Sequence, residues 1–125
     1  MHTSRPVNLD LTTIKLPATA IVSILHRAAG IVLFLLMPFM AYLLHKSLKS
    51  AESFEALKQC IHQCLITKGL IWVFLSSFLY HTFAGVRHLI MDLGIGVNPV
   101  CGRHSAVLVI ILSVIGIIGL GVILW

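Results

Sequence analysis

Charge is nearly absent from three stretches of the chain, near residues 28–44, 69–86 and 105–125, which are 17, 18 and 21 residues long. A helix rising about 1.5 Å per residue makes each of them roughly 25 to 31 Å long, the thickness of a bilayer's hydrocarbon layer. Polar positions gather before and between these runs. The pattern predicts an all-α integral membrane fold with three transmembrane helices, and a single membrane domain over residues 1–125.

Finer punctuation sets the expected boundaries. Residues 1–16 read as an extended tail at the interface, because Pro6 disfavours helix before it and Arg5, Asp10 and Lys15 favour water. The first helix is expected over 17–44, with Pro17 in its first turn and a kink at Pro38, which cannot donate to the carbonyl of Phe34. At roughly 42 Å this helix exceeds the hydrocarbon core, so its first turns should project into headgroups or protein. Residues 45–68 form a connection in which SAESFEALKQCI carries a helical pattern, with Glu55 three residues before Lys58. The second helix is expected over 69–92. A loop is expected over 93–104, marked by Gly94, Gly96, Asn98, Pro99 and Gly102, and the third helix over 105–125, with Trp125 as an interfacial anchor.

Composition narrows the function. The 125 residues are 58% hydrophobic and 10% charged, with a mean hydropathy of +1.02, whereas roughly a quarter of a soluble domain is charged. What lies outside the spans is too little for a separate catalytic domain, so chemistry must occur within the helices or on a partner. Nine Lys and Arg against four Asp and Glu give a net charge of +5, but without a basic block or interleaved aromatics, which excludes nucleic acid as a partner. The mostly polar first 16 residues do not look like a cleaved signal, so the mature chain is expected to start at or near Met1. Basic residues do not orient the spans: Arg5, Lys15, Arg27, Arg87 and Arg103 fall on one side, Lys46, Lys49, Lys58 and Lys68 on the other.

Polar groups in or beside a span are costly and therefore informative. Ser23, His26, Arg27 and Gly30 fall within about 100° of one another on the first helix, and His81, Gly85, His88 and Asp92 within about 40° of one line on the second. These two helices must be antiparallel, so both stripes approach the same membrane surface and can face one interior site. His81 lies roughly 10 Å deeper than His88, among Phe78, Leu79, Tyr80 and Phe83. It needs a partner: either a hydroxyl or carbonyl on a neighbouring helix, or haem iron, for which neutral imidazole is a good axial ligand. The second reading is favoured by a basic pair, His26 and Arg27, one layer up, and by glycines that would let a macrocycle approach. His88 is the next candidate ligand. Arg27 has the alternative of snorkelling to headgroups, and Asp92 of pairing with Arg87 or Arg103. Tyr80 and Trp72 read as packing or interfacial residues.

Two further patterns draw attention. Cys60, His62 and Cys64 alternate, so on a helix they do not converge on a metal, and they and Cys101 are expected as free thiols. Gly116, Gly119 and Gly121 are expected to mark a partner interface.

Three motifs in order, RPVNLDL at 5–11, SILHR at 23–27 with Gly30, and HTFAGVRHLIMD at 81–92, followed by a third apolar span, resemble the cytochrome b556 membrane-anchor subunits of succinate dehydrogenase, the succinate:quinone oxidoreductase of respiratory complex II. The resemblance implies that His81 is one axial ligand of haem b, the other coming from a histidine of a second small anchor subunit. His26 and Arg27 match groups near the haem propionates, Ser23 and Arg27 match residues of the ubiquinone site, and Asp92 matches an acidic residue near that pocket. It further implies a bacterial inner membrane, and a cytoplasmic N-terminal tail on the side where the flavoprotein and iron–sulfur subunits dock. The chain itself would carry no catalytic residue. Family members often have Ser or Thr where this chain has Ala29, which removes a hydroxyl contact but not the proposed ligand.

Two other functions compete. A small transporter or proton channel would use Arg27, His81 and Asp92 as a relay, and would be colourless where a cytochrome shows a dithionite-reduced b-type band. A fumarate reductase anchor of the haem-less kind would have no need of His81.

Overall fold

The computed structural model describes residues 16–125, so all but the last residue of the 1–16 tail lies outside the described residues. Four helices follow in order: α1 (Ala18–Lys49), α2 (Ala51–Gln63), α3 (Leu65–Asp92) and α4 (Pro99–Leu124). Among the described residues there is no strand, and α1, α3 and α4 are each long and apolar enough to cross a membrane. The three expected spans are all present, each with ends that local chemistry moves.

Pro17 stands just before α1 rather than in its first turn, and its carbonyl accepts from the N–H groups of Ala20 and Ile21 at 2.9 and 3.2 Å. The helix continues past Pro38 and five residues beyond the expected stop at 44, with Lys46 and Lys49 in its last turn, where cations favour the carbonyl end of the helix dipole. Ser50 then serves both neighbours. Its extended backbone ends α1, and its side-chain oxygen caps α2 by accepting from the Ser53 N–H at 3.1 Å. Ser53 Oγ donates back to the Lys46 carbonyl at 2.8 Å and ties the corner. On α2 the expected pair of Glu55 and Lys58 forms at 3.6 Å, an exposed contact of small energetic weight. Cys64 breaks the chain for one residue, and α3 begins at Leu65 instead of 69.

The second connection is shorter than expected. Gly94 and Gly96 adopt φ of +80° and +69°, the left-handed region that glycine enters without strain, and they turn the chain at the end of α3. α4 then begins at Pro99, six residues early: Asn98 caps it by accepting from the Cys101 N–H at 2.7 Å, and proline occupies the first turn. Gly102, expected to break helix, lies buried inside it. A Cβ there would stand 3.8 Å from Thr19 Cγ2, so it is the place where α4 comes close to α1.

The core is small and built from small side chains. Val22, Ala84 and Ala106 are fully buried and Val109 nearly so, with Ala18, Tyr80, Phe83 and Ile110 packed around them. Alanines at the crossing let helix backbones approach, as in membrane bundles, where dispersion and hydrogen bonds act without a hydrophobic drive. Large apolar side chains such as Phe34, Leu35, Phe78 and Ile123 point outward. The expectation that Gly116, Gly119 and Gly121 mark a partner interface is corrected for two of them. A Cβ at Gly116 would stand 3.0 Å from Leu79 Cδ1, and one at Gly121 3.5 Å from Trp72 Nε1, so both seat α4 on α3 of the same chain, whereas Gly119 faces open space. Trp72 also donates its Nε1–H to the Ile117 carbonyl at 3.2 Å and meets Trp125 edge-on at 6.3 Å.

Gly116→Val is therefore expected to destabilise the chain by ~1–3 kcal/mol through overpacking against Leu79, while Gly119→Val stays within about 0.5 kcal/mol. Reversible unfolding in mixed detergent micelles measures both, and equal effects would contradict this packing.

Candidate functional site

On α1 a histidine is followed four residues later by a glycine, His26 and Gly30, and α3 repeats the arrangement with His81 and Gly85. The helices run antiparallel, so each imidazole lies against the other helix's glycine. A Cβ at Gly30 would stand 3.2 Å from His81 Cε1, and one at Gly85 would stand 3.4 Å from His26 Nε2. The two rings consequently stack, with centroids 4.0 Å apart and planes 18° from parallel. This corrects two expectations. His26 does not sit one layer above His81 but touches it, because two rings can span one helical turn when neither opposing position has a Cβ. The glycines, for the same reason, make room for imidazoles rather than for a macrocycle.

Hydrogen bonding then distinguishes the rings. His81 Nδ1 lies 3.2 Å from the His26 carbonyl. A carbonyl only accepts, so this bond requires the proton on Nδ1 and leaves the lone pair on Nε2. The Nε2 atom of His81 has no hydrogen-bond partner among the described residues. Of the two partners that the sequence offered for His81, a neighbouring carbonyl is the one present, and Nε2 keeps a lone pair. His26 Nε2 is buried and without a partner among the described residues, while His88 lies tilted against the His26 ring at a centroid distance of 5.2 Å.

The remaining predicted residues fall around this layer. In the register set by the two histidine–glycine pairs, Ser23 stands level with His88, and Asp92 one turn nearer the end of α3. Ser23 is half-buried, Arg27 is exposed, and Asp92 is exposed as the last residue of α3. Among the described residues neither Arg27 nor Asp92 forms an ion pair, so the alternative pairing of Asp92 with Arg87 or Arg103 is not found. The described residues contain no group of three His, Cys, Asp or Glu arranged for a bare metal ion, and all three cysteines are free thiols as expected. Of these, Cys64 precedes α3, and the Thr67 hydroxyl and N–H hold its thiol below the usual range.

Two residues in the site were not anticipated. Tyr80 was read as packing, yet its hydroxyl donates to the Val22 carbonyl at 3.0 Å, so Tyr80 and His81 together bond two carbonyls one turn apart on α1. Arg87, which the sequence offers as a partner for Asp92, is 5% exposed. Its Nε donates to Ser105 Oγ at 3.0 Å and its Nη2 to the Gly102 carbonyl at 3.1 Å, and Ser105 Oγ donates to the same carbonyl at 3.1 Å. Its adjacency to His88 on a largely apolar helix was the available signal; the partners on α4 become visible only in three dimensions.

A three-span membrane protein, whose histidines meet across an antiparallel helix pair, is the class that this geometry defines. Comparison with known proteins gives the family. The family model described as Succinate dehydrogenase/Fumarate reductase transmembrane subunit matches residues 1–120. A Succinate dehydrogenase cytochrome b556 subunit of Coxiella burnetii is 50% identical over 129 aligned positions that cover all of both chains. A Succinate dehydrogenase cytochrome b560 subunit of Reclinomonas americana is 36% identical over 75% of this chain and 68% of its own. The mitochondrial cytochrome b560 subunit of Sus scrofa is 32% identical over 96% of this chain and 72% of its own. The chain belongs to the succinate dehydrogenase/fumarate reductase transmembrane subunit family, and the resemblance to the cytochrome b556 subunits of succinate dehydrogenase is borne out.

Ser105→Ala is expected to destabilise the bundle by about 1–3 kcal/mol, because it strands a buried guanidinium N–H. The double variant Arg87→Met with Ser105→Ala should recover most of that loss, since it removes the charge along with its partner. Thermal unfolding in detergent distinguishes the two outcomes; an additive, larger loss in the double variant would contradict the network.

Proposed function

We propose that this chain is the membrane-anchoring cytochrome b subunit of a succinate:ubiquinone oxidoreductase, giving His81 as one axial ligand of haem b and Ser23 and Arg27 to the ubiquinone site. The observation that carries the reading is the 3.2 Å approach of His81 Nδ1 to the His26 carbonyl, which calls for a proton on Nδ1 and leaves the Nε2 lone pair unspent. Metal-ligating histidines commonly donate their other N–H in this way. Haem b, when bound, supplies a one-electron carrier at this place.

The other residues fit the same group and substrate. His26 Nε2 is a buried polar atom without a partner, a costly state that a propionate carboxylate relieves, and the neighbouring Arg27 adds positive charge. A second small anchor subunit would contribute the other axial histidine, as the resemblance to the cytochrome b556 subunits implies.

For the substrate, Ser23 donates a hydrogen bond from its hydroxyl to a quinone carbonyl, and Arg27 stabilises the negative charge that develops on the quinone oxygen during reduction, where a cation in a water-poor site acts strongly. Asp92, exposed at the end of α3 on the same side, passes protons from water toward that oxygen. Succinate is oxidised on a flavoprotein subunit and electrons arrive through an iron–sulfur subunit. Both dock where the N-terminal tail lies, on the cytoplasmic side of a bacterial inner membrane. A proton relay through Arg27, His81 and Asp92 has less support, because these three share no hydrogen bond among the described residues.

In the intact complex, His81→Ala is expected to lose the dithionite-reduced low-spin b-type band and His88→Ala to keep it; a bis-imidazole spectrum persisting in His81→Ala refutes the ligation. Ser23→Ala and Arg27→Ala should each lower succinate-to-ubiquinone turnover about a hundredfold, with succinate oxidation by an artificial acceptor at the flavoprotein unchanged. An Asp92→Asn complex with full quinone reductase rate removes the relay.

A further inference from the structure

Within a helix, the carbonyl of His26 bonds the N–H of Gly30, and the side chain at that position would ordinarily flank the carbonyl oxygen. With no Cβ at Gly30 the oxygen is open to a donor from outside α1, and His81 Nδ1 reaches it at 3.2 Å. The fit is close: a Cβ at Gly30 would come within 3.2 Å of His81 Cε1 and 3.6 Å of Nδ1. The same residue, His26, lays its ring against one face of the imidazole at 4.0 Å. His81 is thus held by one carbonyl, one ring and one missing methyl, and all three belong to residues 26–30 of α1.

Resting on the ligation of haem iron by His81, we infer that Gly30 and the His26 carbonyl set the electron-donating strength of that ligand, making them positioning residues for electron transfer. A proton shared between Nδ1 and a carbonyl leaves more electron density on Nε2, and a more basic ligand favours the more positively charged, oxidised iron. The expected consequence is a haem potential held lower than an imidazole without this bond would give. The bond is also easy to disturb, because 3.2 Å lies at the long end of the N–H···O range. A single methyl at position 30 must push the ring by a few tenths of an ångström, which weakens the bond without removing the ligand or changing any charge.

Gly30→Ala in the intact complex tests this by redox titration of the haem band. The expected result is a retained low-spin spectrum with a more positive midpoint potential, corresponding to a rise of up to about tenfold in the ferrous-to-ferric ratio at fixed ambient potential, or ~59 mV for one electron. An unchanged or more negative potential overturns the inference, as does loss of haem from an otherwise assembled Gly30→Ala complex, which would make Gly30 a requirement of space alone. If Gly30→Ala does not assemble, the dithionite-reduced native complex labelled with 15N-histidine decides the matter: a protonated, slowly exchanging His81 Nδ1 supports it and an unprotonated or rapidly exchanging one refutes it. The two readings fail separately. Haem retained in His81→Ala defeats the ligation, whereas haem lost there with no potential shift in Gly30→Ala defeats only the role given to Gly30.

Discussion

The pairing of His81 with the His26 backbone across the α1–α3 interface is the interaction on which the rest of the site depends. Inside a bilayer there is no water to satisfy an imidazole, so a histidine at this depth must find protein partners or a ligand. One bond at 3.2 Å fixes the tautomer, the ring orientation and the register of the two helices at once. It forms only because both helices carry glycine four residues after histidine, and the exchange of rings for missing methyls is mutual. The symmetry stops at the hydrogen bond: His81 has one to the opposite backbone, and His26 Nε2 has none among the described residues.

Around that layer the helices are held by means suited to lipid. Small residues at the crossing bring backbones together, and tyrosine, tryptophan and arginine side chains reach carbonyls on neighbouring helices. Each such contact removes a polar group from hydrocarbon while it selects one register. Tyr80 and His81 do so on α1 at successive turns, Trp72 and Arg87 on α4 near its two ends. α3 is therefore the central strut, bonded through side chains to both of its neighbours, and the histidine layer inherits its position from it.

Much of this was legible in the residues. Charge-free runs of bilayer length identified the spans, and the spacing of His81, Gly85 and His88 identified the face of α3 that meets α1, whereas Asp92 on the same line is exposed. The helix ends were less legible, because they depend on single capping contacts. Ser50 both stops α1 and starts α2, and the Asn98–Pro99 pair starts α4 although a glycine follows three residues later. Gly102 looked like a breaker and is a contact point, which no local rule distinguishes. The contact of the two rings was likewise hidden: periodicity gives the face of a residue, whereas the depth at which two side chains meet depends on what the opposite helix lacks. The partners of Arg87 were hidden because a backbone carbonyl and a serine hydroxyl flanking Arg103 offer no negative charge to suggest them.

The anchoring of Arg87 bears on the order in which the chain is built. Synthesis proceeds from the N-terminus, so the residues of α1 and α3 are joined before Gly102 and Ser105 are added. The histidine layer joins segments already made, but the guanidinium near its outer edge has nothing to bond until the last crossing is delivered. Any hairpin of α1 and α3 formed without α4 would leave that cation stranded, and the C-terminal quarter of the polypeptide is what shelters it.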